Sequence, residues 1–313
     1  MDEKLDIITI GEGLIELSSD ISLSLTESLN KYYGGDTLAA AVAAKRLGSK
    51  VGYITRVGCD YFKEFLMDSW QDEGLDISQV KLTGDFNGLY LLARPKDGPK
   101  EFSYYRKRTA ATKLSIEDIS EKYIECAKIF YTSGISQTLS LSAKEAVKKA
   151  YTIAKDKGLT TAYDPNYSPI ITTPDEAKEV FDDVIGLVDI LFLNDKNDIS
   201  KLLDVTSCEK VIKHFWDIGI NTVVIKSTHE KGYYTGYAGD VIFTPFFSPE
   251  IVVDTTCAGD AFNGGFLHAI SSGFNPFEAT KLAAVVAGLQ SQGIGAIKSI
   301  PYRDEVYTEY EKI

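Results

Sequence analysis

A segment rich in small residues, DTTCAGDAFNGGF from Asp254 to Phe266, carries the residue types best suited to chemistry. The pattern predicts a turn followed by a helix that begins near Ala258. Backbone N–H groups at a helix N-terminus point outward, and the helix dipole favours negative charge there. Asp260, in the first helical turn, would stand beside an anion held in this way, and Gly259 would let a ligand approach the backbone closely. This pairing suits phosphoryl transfer, which needs donors for the charge on the phosphoryl group and a carboxylate that receives the proton of the attacking hydroxyl.

The same letters also have a plainer structural explanation. Aspartate and threonine favour the position that caps a helix, so a lone D-T-x-x-x-G-D pattern can be a capping turn. Its place late in the chain, before a glycine-rich amphipathic helix, favours the chemical interpretation.

A second segment of interest is YYGGDTLAAAVAAKRLG, residues 32–48. The pair Gly34–Gly35 before a helix can bring the backbone against a ligand hydroxyl, and Asp36 can accept a hydrogen bond from it. The alternative is a glycine turn in which Asp36 is an ordinary helix cap.

Other nucleotide and nucleophile motifs are weak or absent. GEGLIE at 11–16 begins like a dinucleotide-binding G-x-G-x-x-G, but Glu16 replaces its third glycine, and no G-x-x-x-x-G-K-[ST] occurs. Cys257 has no histidine near it in sequence, so a small buried thiol is a better interpretation than a nucleophile.

Bulk composition restricts the partners. The 313 residues carry a net charge of −12, which disfavours nucleic acid and anionic lipid surfaces as partners.

Four separated cysteines and three histidines show no metal-ligand spacing, so we expect a reduced protein with no metal site of its own. The N-terminus lacks an apolar signal region, and the run Leu282–Leu289 is too short to cross a bilayer, so we expect a cytoplasmic protein.

The pattern of elements predicts one α/β domain over residues 1–313. Short strands separated by helices imply a mostly parallel sheet with helices on its faces. The predicted strands span 5–10, 51–58, 128–134, 160–164, 189–194 and 221–227, and the predicted helices 36–47, 61–73, 142–157, 174–185, 209–217, 258–271 and 276–290. A β-hairpin is predicted around Gly239.

The pattern changes between Val80 and Arg108. Two β-like runs, GLYLLARP at 88–95 and EFSYYRK at 101–107, flank the turn KDGPK, with no helix between them. We expect an antiparallel excursion that forms a lid over the α/β body.

Together, DTTCAGD and GGDTL resemble the signatures of the ribokinase-like (PfkB) family of sugar kinases, and the resemblance covers nearly the whole chain. It implies a doubly wound α/β fold with a small β-sheet lid, formed by about 12–35 and 80–108, and it implies ATP and Mg²⁺ as cofactors. It also implies Asp260 as the catalytic base and the N–H groups of Cys257, Ala258 and Gly259 as an anion hole.

Within the family, GGDTL at 34–38 and YYRKRTAATKLSIEDI at 104–119 look like those of 2-keto-3-deoxygluconate kinases. That resemblance implies a lid that contacts a sugar acid, and arginine can bind a carboxylate bidentately. Alternatively, Tyr104 and Tyr105 alternate along a strand and Arg106 lies on the surface. The substrate residues implied are Gly34, Gly35, Asp36, Tyr90, Tyr104, Arg106 and Asn166. The nucleotide residues implied are Asn194, Lys226, Ser227, Gly232 and Gly259.

Several positions depart from the family pattern. Ala39 replaces an asparagine, Ser168 in DPNYSP replaces an arginine, and Asn197 replaces the glutamate of an N-x-x-E segment. Small apolar residues at 283–286 replace an asparagine beside the adenine. We expect Arg108 or Lys107 to supply the missing charge, because strand alternation would put Arg106 and Arg108 on one face.

These observations predict an ATP-dependent kinase for a small sugar acid, with 2-keto-3-deoxygluconate as the best single substrate. The alternatives are a kinase for another sugar, of the fructose or ribose type, and a degenerate member that binds sugar or nucleotide without turnover. Exposed lid strands often pair with a second chain, so we expect a homodimer through the lid.

Overall fold

The computed structural model describes residues 4–203, 205 and 207–313. The strands are β1 (Ile7–Ile10), β2 (Leu14–Ser19), β3 (Asn30–Gly34), β4 (Val51–Gly58), β5 (Val80–Thr83), β6 (Gly88–Ala93), β7 (Glu101–Tyr105), β8 (Ile129–Ser133), β9 (Thr160–Asp164), β10 (Ile190–Asn194), β11 (Thr222–Ser227), β12 (Gly232–Tyr237) and β13 (Asp240–Pro245). The helices are α1 (Asp36–Arg46), α2 (Lys63–Asp72), α3 (Glu121–Ile124), α4 (Gly134–Gln137), α5 (Leu141–Asp156), α6 (Pro174–Val184), α7 (Ser200–Leu202), α8 (Cys208–Asp217), α9 (Ala258–Ser271), α10 (Pro276–Gln290) and α11 (Arg303–Tyr310). Short 3₁₀ turns span Ala110–Lys113, Ile116–Asp118 and Ile185–Leu187, and a π-helical turn spans Asp195–Ile199.

Nine strands form one twisted sheet in the order β13-β12-β11-β10-β9-β8-β1-β4-β5. The pairs from β11 to β5 are parallel, whereas β12 and β13 add an antiparallel edge. Strand β1 has a parallel neighbour on each side and is buried along its whole length, as expected of a parallel strand covered on both faces. One hydrophobic core lies on each face of the sheet, which confirms the predicted doubly wound α/β fold.

Helix α9 lies closely packed between α1 and α10. A Cβ atom at Gly264 would lie 2.2 Å from the Ala40 carbonyl oxygen, so the backbones of α9 and α1 touch at that glycine. The start of α10 is fixed by a capping box between Asn275 and Glu278, with Pro276 in the first turn. The glycine-rich helix predicted from the sequence therefore positions Asp260 through tight helix packing.

The small sheet has the order β3-β2-β6-β7 and covers one end of the body. The outer pairs are antiparallel and the central pair, β2 with β6, is parallel, so the excursion is not antiparallel throughout. The predicted segments 12–35 and 80–108 contain all four strands. Residues 80–83, however, form β5 and pair with β4 in the large sheet.

The expected placement of Arg106 and Arg108 on one strand face is wrong. Strand β7 ends at Tyr105, and Arg108 adopts a left-handed conformation with φ of 59°. The Thr109 hydroxyl donates to the Arg106 carbonyl at 3.0 Å and closes a turn there. Because the chain leaves the strand before Arg106, the two-residue alternation no longer applies.

The cleft below the small sheet lies at a switch in strand order. Strand β1 has β4 on one side and β8 on the other, so the chain leaves the carboxyl ends of β1 and β8 in different directions. Ligands bind at such points in open α/β sheets. In the described part of the chain, no helix combines the length and apolarity needed to cross a bilayer.

Candidate active site

A cavity of about 320 Å³ separates the small sheet from the carboxyl ends of the large one. It is lined by Glu12, Leu14, Gly35, Asp36, Tyr90, Lys100, Phe102, Tyr104, Arg106, Ile135, Asn166, Ser168, Ile171, Thr255, Thr256, Cys257 and Asp260. Of the residues predicted to bind substrate or act as base, all except Gly34 line this cavity directly. Gly34 lies next to it, against the Tyr90 hydroxyl.

The side-chain amide of Asn166 bridges two carboxylates in this cavity. Its Nδ2 lies 3.2 Å from Oδ1 of Asp260 and 3.3 Å from Oδ2 of Asp36. Asn166 follows β9 in a left-handed conformation with φ of 47°, which asparagine tolerates better than most residues. Its own N–H donates to Asp164 at 2.9 Å, which fixes the turn. The bridge gives Asp260 and Asp36 fixed positions facing the same space.

In this site, Asp260 holds a proton more tightly than an aspartate in water does. Burial raises its pKa to about 8, the negative charges of Asp36 and Asp164 act in the same direction, and the ammonium of Lys226 opposes them. Burial likewise raises the pKa of Asp36. A carboxylate with a pKa near neutrality is suited to accept a proton from a hydroxyl.

The turn before α9 begins at Asp254, whose Oδ1 accepts from the N–H and hydroxyl of Thr256 at 3.0 and 2.6 Å. Cys257 then takes a left-handed conformation with φ of 63° at the N-cap. The Ala258 N–H donates to the Thr255 carbonyl at 3.2 Å, so this donor of the predicted anion hole already has a partner. The anion hole of Cys257, Ala258 and Gly259 therefore stays a prediction.

Arg106 is held by Glu12, which sequence reasoning did not single out. Its Nε and Nη2 atoms lie 2.8 and 2.7 Å from Oε2 of Glu12, and both side chains are largely buried. Burial raises the pKa of Glu12, and the guanidinium of Arg106 opposes that rise. The Nη1 group of Arg106 is buried and has no hydrogen-bond partner among the described residues.

Two lid tyrosines form one wall of the cavity. The ring centroids of Tyr90 and Tyr104 are 5.7 Å apart, and the Tyr90 hydroxyl donates to Glu16 at 2.7 Å. Burial raises the pKa of Tyr104 to about 12, so its hydroxyl stays protonated. Below them, Gly35 has a φ of 132°, and a Cβ there would lie 2.2 Å from the Glu12 carbonyl oxygen. The glycine pair therefore lets the lid strand and the Glu12 loop close around Asp36.

A second cavity, of about 410 Å³, lies on the other side of the turn before α9 and shares Thr255 with the first. Its walls combine aromatic and small residues with a few polar groups, as suits a nucleotide base and phosphates. The lining is Asn194, Lys226, Thr228, Tyr233, Phe246, Phe247, Ser248, Pro249, Val252, Thr255, Ala258, Gly259, Ala287, Gly288 and Ser291.

The predicted nucleotide residues divide into two groups. Asn194, Lys226 and Gly259 line the second cavity, whereas Ser227 and Gly232 lie outside its lining. The Ser227 hydroxyl donates to Asp195 at 2.7 Å. Gly232 pairs with Ser227 in the strand ladder. These two residues shape the hairpin beside the cavity, and a direct nucleotide contact by either stays a prediction.

A buried polar network supports Lys226. Its Nζ donates to Asp164 at 2.6 Å and to the Asn263 side chain at 3.2 Å, while Asn263 donates to Asp164 at 2.7 Å and to Tyr131 at 3.0 Å. The signal in the sequence was weak but present: Asn263 lies three residues after Asp260, on the neighbouring turn of α9.

The segment that lacks the usual N-x-x-E glutamate has a carboxylate one residue later. Asp198 lies in the π-helical turn and accepts the N–H groups of Asn194 and Tyr167 at 2.7 and 2.9 Å. Burial raises its pKa to about 7, and the charge of Asp164 adds to the rise. The sequence comparison considered only position 197 of this segment and did not single out Asp198.

The donor set fits a cation that arrives with phosphates. Among the described residues, no group of three or more His, Cys, Asp or Glu side chains could hold a metal ion by itself. Mg²⁺ commonly takes one or two carboxylates together with water and substrate phosphates. Asp164 and Asp198 are buried carboxylates near Lys226, but neither lines either cavity. Asp164 already accepts hydrogen bonds from Lys226 and Asn263, and Asp198 accepts them from two backbone N–H groups.

The fold and the two cavities that meet at the N-terminus of α9, the first of them lined by Asp260, define a phosphotransferase of the ribokinase-like class. A family model described as pfkB family carbohydrate kinase matches residues 4–303. The chain belongs to this family, which confirms the family, the fold and the kinase class predicted from the sequence.

Known relatives agree with this assignment. The chain is 29% identical to a 2-dehydro-3-deoxygluconokinase of Bacillus subtilis (strain 168), over 97% of this chain and 94% of that protein. It is 29% identical to a 5-dehydro-2-deoxygluconokinase of Clostridium perfringens, over 91% of this chain and 87% of that protein. Among solved structures, it superposes with a TM-score of 0.90 on an E. coli protein provisionally assigned as ribokinase II, in complex with ATP and Mg²⁺. That pair is 25% identical and covers 99% of this chain and 100% of the other.

Proposed function

We propose that this chain transfers the γ-phosphoryl group of ATP to a hydroxyl of 2-dehydro-3-deoxygluconate, the same compound as 2-keto-3-deoxygluconate. One observation carries the proposal: Asp260 and Arg106 line one cavity beside the turn that starts α9, and the Nη1 group of Arg106 has no hydrogen-bond partner among the described residues. Such a cavity offers a proton acceptor and a carboxylate-binding group to a single small molecule.

The chemical step is an in-line displacement. The hydroxyl oxygen of the sugar acid forms a bond to the γ-phosphorus, and its proton passes to an Asp260 oxygen. The bond between the γ-phosphorus and the β–γ bridging oxygen breaks, and its electron pair leaves with ADP. Asn166, which donates to Asp260, holds the receiving carboxylate in place during this transfer.

The nucleotide occupies the second cavity. Tyr233, Phe246 and Phe247 supply apolar surface for the base, and Lys226 lies at the end nearest Gly259. Mg²⁺ would be held mainly through the nucleotide phosphates and would offset their negative charge, with Asp164 and Asp198 as the buried carboxylates near Lys226.

We expect the site to prefer sugar acids to neutral sugars because of the contacts that Arg106 makes. Glu12 pairs with Nε and Nη2 of the guanidinium, so only Nη1 is left to bind the substrate. A carboxylate can accept from this group with a charge-assisted hydrogen bond, which is stronger than a bond from a neutral hydroxyl. The second candidate substrate is 5-dehydro-2-deoxygluconate, because relatives of comparable identity are named for that sugar acid.

The proposal extends to the oligomeric state and the cellular location of the protein. The lid leaves β3 and β7 as strand edges, and β3 is exposed over its first residues, so we place a homodimer contact at this sheet. The described cysteines are all free thiols, which suits the reducing cytoplasm.

A coupled assay of ADP release over a panel of sugars and sugar acids tests the proposal. We expect turnover with the two dehydro-deoxygluconates and weak turnover with fructose and ribose. Preference for a neutral sugar would overturn the substrate assignment, and absence of ATP-dependent turnover with every compound would overturn the kinase proposal.

A further inference from the structure

Lys100 reaches from the lid to the turn that starts α9. It lies in the connection between β6 and β7, directly before Glu101, the first residue of β7. Its Nζ lies 2.6 Å from Oδ1 of Asp254 and 3.3–3.4 Å from the hydroxyls of Thr256 and Thr255. The lid therefore places the positive charge of Lys100 beside Asp254. Asp254 begins the turn that borders both cavities through Thr255.

The other cationic side chains that line the two cavities are also ion-paired, and they are more buried than Lys100. Arg106 is held by Glu12, and Lys226 by Asp164. Lys107 and Arg108, the predicted substitutes for the arginine missing at Ser168, line a different cavity near Ile170. The Lys100 side chain is 35% exposed, so it can change partner without leaving a buried site.

Asp254 would keep a partner if Lys100 moved. Arg94, at the end of β6, has its Nη1 atom 3.2 Å from Oδ2 of Asp254, and its side chain is only 8% exposed. Leaving a buried carboxylate unpaired is strongly unfavourable. The second ion pair offsets part of that cost through charge alone, because neither Nη1 of Arg94 nor Oδ2 of Asp254 makes a hydrogen bond among the described residues. Two cations therefore share one carboxylate, and Lys100 is the more exposed of them.

We propose that Lys100 is a catalytic residue that moves from Asp254 to an oxygen of the γ-phosphoryl group when ATP binds. This proposal rests on the proposed kinase function. Phosphoryl transfer is accelerated mainly by positioning and by positive charge placed where the transition state is negative. Lysine is a compact charge on a flexible stem and can make this exchange. Lys100 thereby supplies the charge that Ser168 does not.

The first test compares ATP with ADP, because a γ-phosphoryl contact affects only ATP. Lys100→Met should weaken ATP binding by about ten- to hundredfold, the usual range for a charge-assisted contact, and leave ADP binding unchanged. Lys96→Met, in the same lid connection, is the matched control and should change neither. Calorimetric titration with ATP and ADP gives both affinities, and a thermal melt of each variant checks folding.

The second test uses turnover. Lys100→Met should lower kcat by about a hundredfold or more, Lys100→Arg should restore part of it, and Ser168→Arg in the Lys100→Met background should also restore part of it. A residue that only fastens the lid would raise the KM for the sugar acid and leave ATP affinity and kcat near normal.

The outcomes separate this inference from the proposed function. Equal weakening of ATP and ADP, or unchanged ATP affinity in Lys100→Met, overturns the role of Lys100 even if the wild-type protein is a good sugar-acid kinase. If the wild-type protein binds ATP but phosphorylates none of the sugars, the proposed function fails, and the ATP–ADP comparison still decides whether Lys100 contacts the γ-phosphate. A wild-type protein that binds no ATP overturns both.

Discussion

The side-chain amide of Asn166 donates to both Asp260 and Asp36, at 3.2 and 3.3 Å. The two carboxylates come from different helices and would repel each other if both were ionised. Burial raises the pKa of each, and the charge of Asp36 adds to the rise at Asp260. The amide thus fixes a pair in which the protonation of one aspartate depends on the other.

This coupling predicts the pH dependence of activity. Asp260 accepts a proton only when ionised, so kcat/KM should fall as pH decreases through about 8, the pKa of Asp260. Asp36→Asn removes a neighbouring negative charge and should move this limb to lower pH. The measurement is the pH at which this limb of the kcat/KM profile lies. The height of the curve is not compared, because Asp36→Asn should also weaken sugar binding and lower the whole profile. A limb that stays in place or moves to higher pH would contradict the coupling.

Arg106→Ala should act on stability as well as on substrate preference. Removing the guanidinium leaves the buried Glu12 carboxylate unpaired, which typically costs about 3–5 kcal/mol of folding free energy. Glu12→Gln in the same chain should recover most of that loss. The specificity comparison is therefore made between Glu12→Gln and the double variant Glu12→Gln/Arg106→Ala.

In that comparison, loss of Arg106 should raise the KM for sugar acids by about ten- to hundredfold and change the KM for fructose much less. Steady-state kinetics on both substrate classes provides the values. An equal rise for both classes would assign Arg106 a purely structural role.

Cys257 stores backbone strain at the start of α9. Its φ of 63° is left-handed, which costs a residue with a Cβ roughly 1–2 kcal/mol relative to glycine. Cys257→Gly should raise the free energy of unfolding by about that amount, reduced by the greater freedom of glycine in the unfolded chain. Cys208→Gly, at the first residue of α8 where φ is negative, is the control and should not stabilise. Urea titration of both variants checks the difference, and an unchanged or lower midpoint for Cys257→Gly would contradict the strain.

The structural features that were predicted from the sequence are those that depend on neighbouring residues. The helix after DTTCAGD, the glycine pair before α1 and the six strands predicted for the parallel sheet lie within two residues of their predicted bounds, because spacing and caps determine them locally. Asp260 was singled out for the same reason, since this residue and the turn before it belong to one segment.

What the sequence did not reveal depends on segments far apart in the chain. Glu12 pairs with Arg106 across 94 residues, and Lys100 meets Asp254 across 154. No local pattern specifies such pairs. Arg108 was misjudged for another reason: strand β7 ends at Tyr105 and Arg108 is left-handed, so the alternation from which its position was inferred does not apply. Asp198, in a π-helical turn, carried no expectation from the sequence.

Replacement of Asp260 by asparagine tests the central claim most directly, because it keeps the shape of the side chain and removes the proton acceptor. Turnover of ATP with 2-dehydro-3-deoxygluconate should fall by about 10²–10⁴, the usual cost of losing a general base, while ATP affinity measured by calorimetry stays near that of the wild-type protein. Turnover within a few-fold of wild type in Asp260→Asn would contradict the account.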